Sequence, residues 1–251
     1  ERLCQDADPE WIKVYVHGEY GYVRSGRPVY SEYSDQNHCR KIEPVAGIPV
    51  RRAWDFGLTP ACVFTQIMPD QRYLVFDELT SEDMSVDAFS DQVLDHSLRS
   101  FRKKVEFEDT GDPAGIIRSE VDARSVFQML RAKGISIQPG LQSIALRIES
   151  VRKPLRKLLP DGKPQLALHP RCVMLRRGFL GHYHFRKLQV SGDRYADIPE
   201  KNEASHPHDS LQYDCSRLFA STLMFANEGR QPPEDNYDDY ASRTRNQHTG
   251  Y

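Results

Sequence analysis

The stretch from Val50 to Leu79, V-R-R-A-W-D-F-G-L-T-P-A-C-V-F-T-Q-I-M-P-D-Q-R-Y-L-V-F-D-E-L, decides the fold class. Val50 to Phe56, Val63 to Met68 and Arg72 to Leu79 are short runs rich in β-branched and aromatic residues. Such runs, bounded by turn residues, read as strands. Pro69-Asp70-Gln71 supplies the hairpin turn between the last two.

Downstream the pattern changes. Ser85 stands where a cap would, and Val86, Phe89, Val93 and Leu94 recur at helical spacing through about Arg102. A fourth strand is expected over Lys104 to Glu108, closed by the turn Asp109-Thr110-Gly111-Asp112-Pro113-Ala114-Gly115. A short helix over Ala123 to Lys133, stopped by Gly134, leads to a strand over Ile135 to Gln138. Ile144, Ile148, Val151, Leu155 and Leu158 mark one face of a longer helix that ends at Pro160. A strand over Leu166 to His169, a helix over Cys172 to Leu180 and a β-hairpin from Tyr183 to about Pro199 follow. The last helix begins near Pro207, which suits a first turn, and carries Leu211, Leu218, Leu223 and Phe225. Hairpin-linked strands followed by alternating helices and strands predict an α/β fold, with a mixed central sheet, helices on both faces and an added β-hairpin.

Residues 1 to 47 are polar and turn-rich and read as a lead-in wrapped on the surface of the domain that spans 48 to 226. Residues 227 to 251, rich in Pro, Asp, Asn and Tyr, read as a disordered tail. Because the chain opens on Glu1, it reads as a piece of a longer or processed protein. The net charge of −2 means that any DNA-binding face must come from locally clustered Lys and Arg. Five dispersed cysteines with no C-x-x-C pair argue against a disulfide framework and a structural zinc site. No apolar run approaches the length of a membrane span, so a cytosolic setting is expected by default.

The chemistry gathers on three carboxylates. Asp55 ends the first strand, Asp112 lies in the turn closing the fourth, and Asp209 stands near the start of the last helix. If the first and fourth strands are neighbours, their ends bring two carboxylates together, and a helix start packed on that edge adds the third. Three carboxylates in one cleft repel one another, and cations relieve that repulsion. Oxygen-only ligands suit Mg²⁺ or Mn²⁺, and two such ions about 4 Å apart serve phosphodiester cleavage. Each Asp also has an ordinary use, as a turn residue or a helix cap.

These motifs carry a resemblance. Gly18-Glu19-Tyr20-Gly21, Gly26-Arg27-Pro28-Val29-Tyr30, Trp54 to Pro60, Gly111 to Gly115, Arg147 to Leu155 and His206 to Tyr213 resemble, in order and spacing, the nuclease domain of phage terminase large subunits. The resemblance runs from about residue 16 to about residue 225. It implies an RNase H-like fold and a two-metal endonuclease that cuts concatemeric viral DNA with little sequence preference. Asp55, Asp112 and Asp209 match the family's acidic triad, and His206 matches a histidine that some members hold beside the metals. Asp209-Ser210-Leu211-Gln212-Tyr213 stands where the family often has Asp-Ala-Leu-Arg-Tyr. The implied partners are double-stranded DNA, an N-terminal ATPase domain, a portal protein and a small terminase subunit, in the host cytoplasm during virion assembly. The chain has no G-x-x-x-x-G-K-[ST] phosphate loop, so it is not expected to hydrolyse ATP.

Other residues carry weaker expectations. Glu78, at the end of the third strand, reads as a solvent-facing acid or as an outer support of the metal site. Arg152, Lys153, Arg156 and Lys157, with Arg186 and Lys187 of the hairpin, read as a DNA-backbone surface beside the cleft. Trp54 and Phe56 read as core. The pairs His182-x-His184 and His206-x-His208 keep a zinc hydrolase open. A junction resolvase, and a non-catalytic module that docks DNA or the portal, also remain open, and the acidic residues Glu234 to Tyr240 read as a solubilising tail or a docking segment for the portal.

Overall fold

The computed structural model describes residues 26–57, 59–101, 105–117, 124–188 and 194–220. The Gly18 to Gly21 motif, the hairpin tip, Leu223, Phe225 and the expected disordered tail lie outside the described residues.

The three strands expected from the opening stretch form as β2 (Val50–Asp55), β3 (Ala61–Ile67) and β4 (Tyr73–Thr80), and the turn between β3 and β4 puts Gln71 at a φ of 69°. Every residue of β2 is buried, which requires cover on both faces of the sheet. Its two arginines alternate between those faces. Arg52 binds Asp109 through Nε at 2.8 Å and Nη2 at 2.7 Å, and the Trp54 indole N–H donates to the same carboxylate at 2.7 Å. Arg51 points the other way, donating to Asp214 from Nε at 2.9 Å.

The rest of the sheet comes from β5 (Phe107–Gly111), β6 (Ile137–Pro139) and β7 (Leu166–Leu168). Strand order is β6-β5-β2-β3-β4-β7, with only β3 running against its neighbours. β5 lies three residues later than expected. Asp109, Thr110 and Gly111 look like a turn in sequence, yet they pair with Arg52, Ala53 and Trp54. The Arg52 partnership is what makes a buried Asp109 tolerable inside a strand.

On one face lie α2 (Val86–Ser100), capped by the Ser85 hydroxyl, and α3 (Val126–Ala132), capped reciprocally by Ser125 and Gln128. Phe89, Val93, Phe127 and Leu130 pack there on Trp54, Phe64 and Phe76. On the other face lie α4 (Ile144–Arg156), α5 (Val173–Arg177) and α6 (Ser205–Phe219). Ile148, Val151, Leu175, Leu211 and Cys215 pack there on Ala53, Val63 and Val75. The helices thus cover both faces, as expected. Trp54 is fully buried, as its core reading requires.

The lead-in is the main correction. Within it β1 (Gly26–Pro28) pairs antiparallel with β8 (His184–Arg186), and α1 (Asp35–His38) follows. Val29, Tyr30 and Tyr33 are buried in the α6-side core rather than wrapped on the surface. The hairpin is present at its base: Leu188 N–H donates to Arg194 at 2.8 Å and Ala196 N–H to Arg186 at 2.9 Å.

Candidate metal centre

The parallel pairing of β2 with β5 sets the site. Trp54 is opposite Gly111, so Asp55 and Asp112 leave the same sheet edge from adjacent strands. The Asp112 N–H donates to the Trp54 carbonyl at 3.1 Å, fixing that juxtaposition. β6 ends beside them, where Gly140 N–H donates to Gly111 at 2.8 Å. Gly140 is required there, because a Cβ would lie 2.8 Å from the Tyr213 side chain. Tyr213 is one turn beyond Asp209 on α6, and its phenol is held above its usual pKa by burial and by Asp112, Asp55 and Asp209 together. Asp55 and Asp112 thus leave adjacent strand ends, and Asp209 lies on the same helix as His206, which binds Asp55.

Their states differ. Asp55 is buried, and that burial, with the charge of Asp209, lifts its pKa to about 6. His206 opposes the shift: its Nδ1 lies 3.0 Å from Asp55 Oδ2, and its Nε2 lies 2.6 Å from the Thr59 hydroxyl. With Asp55 ionised, Nδ1–H donates to the carboxylate and Nε2 accepts from Thr59, which fixes the tautomer. Asp112 is more open and caps its own 3₁₀ turn (Pro113–Ile116), accepting from Ala114 N–H at 2.9 Å. Asp209 is almost completely buried. Lys201 binds its Oδ2, and its Oδ1 has no hydrogen-bond partner; Arg147 Nη1 lies 3.9 Å from that oxygen. The Arg147 guanidinium lies 4.4 Å over the Tyr213 ring.

Among the described residues no three acidic, histidine or cysteine side chains are closed around one point for a metal ion. Asp112 caps Ala114 N–H, and Asp209 binds Lys201. The donor set nevertheless suits a hard divalent ion, being carboxylate oxygens, one of them buried without a donor. Beside it a recess of about 450 Å³ is lined by Thr59, Thr80, Ser81, Met174, Glu203 and His206.

The remaining predicted residues are placed as follows. Glu78 is neither solvent-facing nor hydrogen-bonded to the triad. It accepts from Met174 N–H at 2.6 Å and Leu175 N–H at 3.0 Å at the start of α5, and burial lifts its pKa to about 7. The histidine pairs do not form a zinc site. His206 goes to Asp55, while His208 is buried between Tyr30, Phe179 and Tyr183 and bonds the Leu175 carbonyl at 3.1 Å. His182 and His184 face Glu203 and Glu200.

The basic residues separate into two groups. Lys157 at the end of α4 bonds Gln71, in the turn at the sheet end opposite Asp55. Arg152 bonds the Val29 carbonyl, Lys153 the Phe219 carbonyl, and Arg156 pairs with Glu149 and Glu32. This group does not adjoin the cleft. The chain returning from the hairpin of Arg186 and Lys187 runs back along His184 and His182, and Lys201 beyond it binds Asp209. Sequence reasoning missed Lys201, Thr59 and the role of Arg147. Arg147 alone left a signal, since it interrupts the apolar stripe of Ile144, Ile148 and Val151.

No protein-family model and no curated protein matches the sequence. Solved structures do. The large terminase of thermophilic bacteriophage D6E, in complex with ATP-γ-S, has a TM-score of 0.59 at 14% identity, covering 86% of this chain and 54% of that one. The P22 large terminase nuclease domain has a TM-score of 0.54 at 13% identity, covering 76% and 93%. The fold is that of phage large-terminase nuclease domains. The large terminase nuclease of thermophilic phage G20c with bound magnesium has a TM-score of 0.50 at 12% identity, covering 76% and 97%. The chain spans about half the length of the D6E large terminase and nearly all of the P22 nuclease domain. The RNase H-like α/β architecture expected from sequence is thus the terminase-nuclease fold, and in it the Asp55 and Asp112 strands are neighbours.

Proposed function

We propose that this chain is the divalent-metal-dependent endonuclease domain of a viral DNA-packaging large terminase. The observation that carries the reading is the placement of Asp55 and Asp112 at adjacent strand ends, with Asp55 bound to His206 of the helix that carries Asp209, within a terminase-nuclease fold. Magnesium in the G20c nuclease supports the choice of ion. Asp55, Asp112 and Asp209 would hold two Mg²⁺ or Mn²⁺ ions, which when bound supply charge to activate water and to stabilise the departing 3′ oxygen.

The chain's own residues do the positioning. Thr59 orients His206, and His206 holds one oxygen of Asp55, leaving the other for an ion. Arg147, fixed on Tyr213, adds a permanent positive charge beside Asp209. No side chain is assigned as a nucleophile. Double-stranded DNA is the substrate, with Arg186 and Lys187 holding its backbone. The N-terminal ATPase domain, portal and small terminase subunit are the partners, and the host cytoplasm during assembly is the setting.

A junction resolvase shares this fold class, so substrate comparison is the test. With Mn²⁺, linear duplex should be cut at least as fast as a four-way junction, and Asp55→Asn should remove cleavage of both. Cleavage confined to the junction would replace the packaging reading with the resolvase one.

A further inference from the structure

The same helix holds two buried carboxylates treated in opposite ways. Asp214 is fully provided for: it takes Arg51 Nε at 2.9 Å and Nη2 at 2.8 Å, the Thr65 hydroxyl at 2.8 Å and the Tyr73 hydroxyl at 2.7 Å. These donors come from buried strand residues, and nothing in them is free to leave. Asp209, one and a half turns earlier, is as deeply buried, yet one oxygen lacks a donor and the other is held by Lys201. A buried carboxylate left half-satisfied is unfavourable unless another cation takes its place.

The two cations beside Asp209 differ in how firmly they are held. Arg147 is 7% exposed and stacked on Tyr213, so it stays. The Lys201 side chain is 64% exposed, with a flexible stem reaching in from the segment before α6. It can swing to solvent without disturbing any packed group.

We propose that Lys201 is a displaceable counter-ion, a positioning residue that holds Asp209 in its buried pose until a divalent ion takes over the carboxylate. The inference rests on the metal-dependent reading above. Lys201 and the ion compete for the same oxygen, so the lysine sets how tightly the site loads. Lys201 and Arg147 also offset negative charge that Asp209 would otherwise bring beside Asp55.

Calorimetric titration of Mn²⁺ into the wild type, Lys201→Gln, Lys201→Arg and Asp209→Asn tests this without any turnover. Removing the ammonium should tighten Mn²⁺ binding by roughly two- to fivefold, the worth of one partly exposed ion pair. Lys201→Arg should stay close to the wild type, and Asp209→Asn should bind far more weakly. Thermal melting adds a second readout: the rise in Tm on adding Mn²⁺ should be larger for Lys201→Gln than for the wild type. Mn²⁺ binding in Lys201→Gln equal to or weaker than in the wild type would overturn the competition while leaving the metal site standing. Absence of binding in the wild type itself would overturn both the competition and the metal-dependent reading.

Discussion

His208 shows how a residue that invites a functional reading in sequence is fixed by its surroundings. Burial among aromatic rings lowers its pKa from 6.5 to about 3, so the folded protein holds it neutral. The unfolded chain binds its proton near 6.5 and the folded chain only near 3, so this contribution to stability is complete above pH 6.5 and declines as pH falls toward 3. Denaturant titrations at pH 7 and pH 5 should show a loss of stability that His208→Gln diminishes; an unchanged loss would remove His208 as its source. Gly178 belongs to the same contact, because a Cβ there would sit 2.2 Å from His208 Nε2. Gly178→Ala should therefore cost about 2 kcal/mol, read as a shifted denaturation midpoint. Gln212 completes the corner, donating to the Tyr30 and Tyr183 hydroxyls at 3.0 and 3.2 Å. It ties the segment carrying Tyr30 to α6.

Among elements, the junction of β2 with β5 decides whether the site exists. The buried Arg52–Asp109 pair and the Trp54 indole lock those strands in register just before Asp55 and Asp112. Asp109→Ala strands a buried guanidinium and an indole N–H, and should destabilise the fold by about 3–5 kcal/mol in equilibrium unfolding. A loss below 1 kcal/mol would show that the pairing does not depend on this contact. The strands of the opening stretch were legible because apolar alternation and a Pro-Asp turn are local signals. β5 was displaced by three residues because a polar Asp-Thr-Gly run is a turn in any local reading, and only Arg52 on the neighbouring strand makes it a strand. The adjacency of the Asp55 and Asp112 strand ends was legible from the strand pattern. Lys201 was not: an exposed lysine before a helix looks like any other until the fold brings it to Asp209. Burial of Val29, Tyr30 and Tyr33 depends likewise on distant partners, α6 and the β8 segment.

For the whole molecule, the placement of positive charge relative to the acidic edge separates surfaces that sequence ran together. The α4 residues sit toward the far end of the sheet and are engaged with Glu32, Glu149, Gln71 and backbone carbonyls. The hairpin of Arg186 and Lys187 leads back through residues 194–200 to Lys201, which binds Asp209. Duplex binding measured across a salt series should lose one to two units of slope, about 0.9 per phosphate contact, in Arg186→Ala with Lys187→Ala. Lys157→Ala should leave that slope unchanged, and the reverse pattern would move the DNA path to α4. The measurement that bears most directly on the central claim is cleavage of supercoiled plasmid with Mg²⁺ or Mn²⁺, set against EDTA and Asp112→Asn. Asn preserves an oxygen to cap Ala114 N–H, so this variant should fold while losing a metal ligand. We predict nicking and linearisation that need the ion and vanish in Asp112→Asn. Cleavage that survives EDTA, or that persists undiminished in Asp112→Asn, would contradict the account.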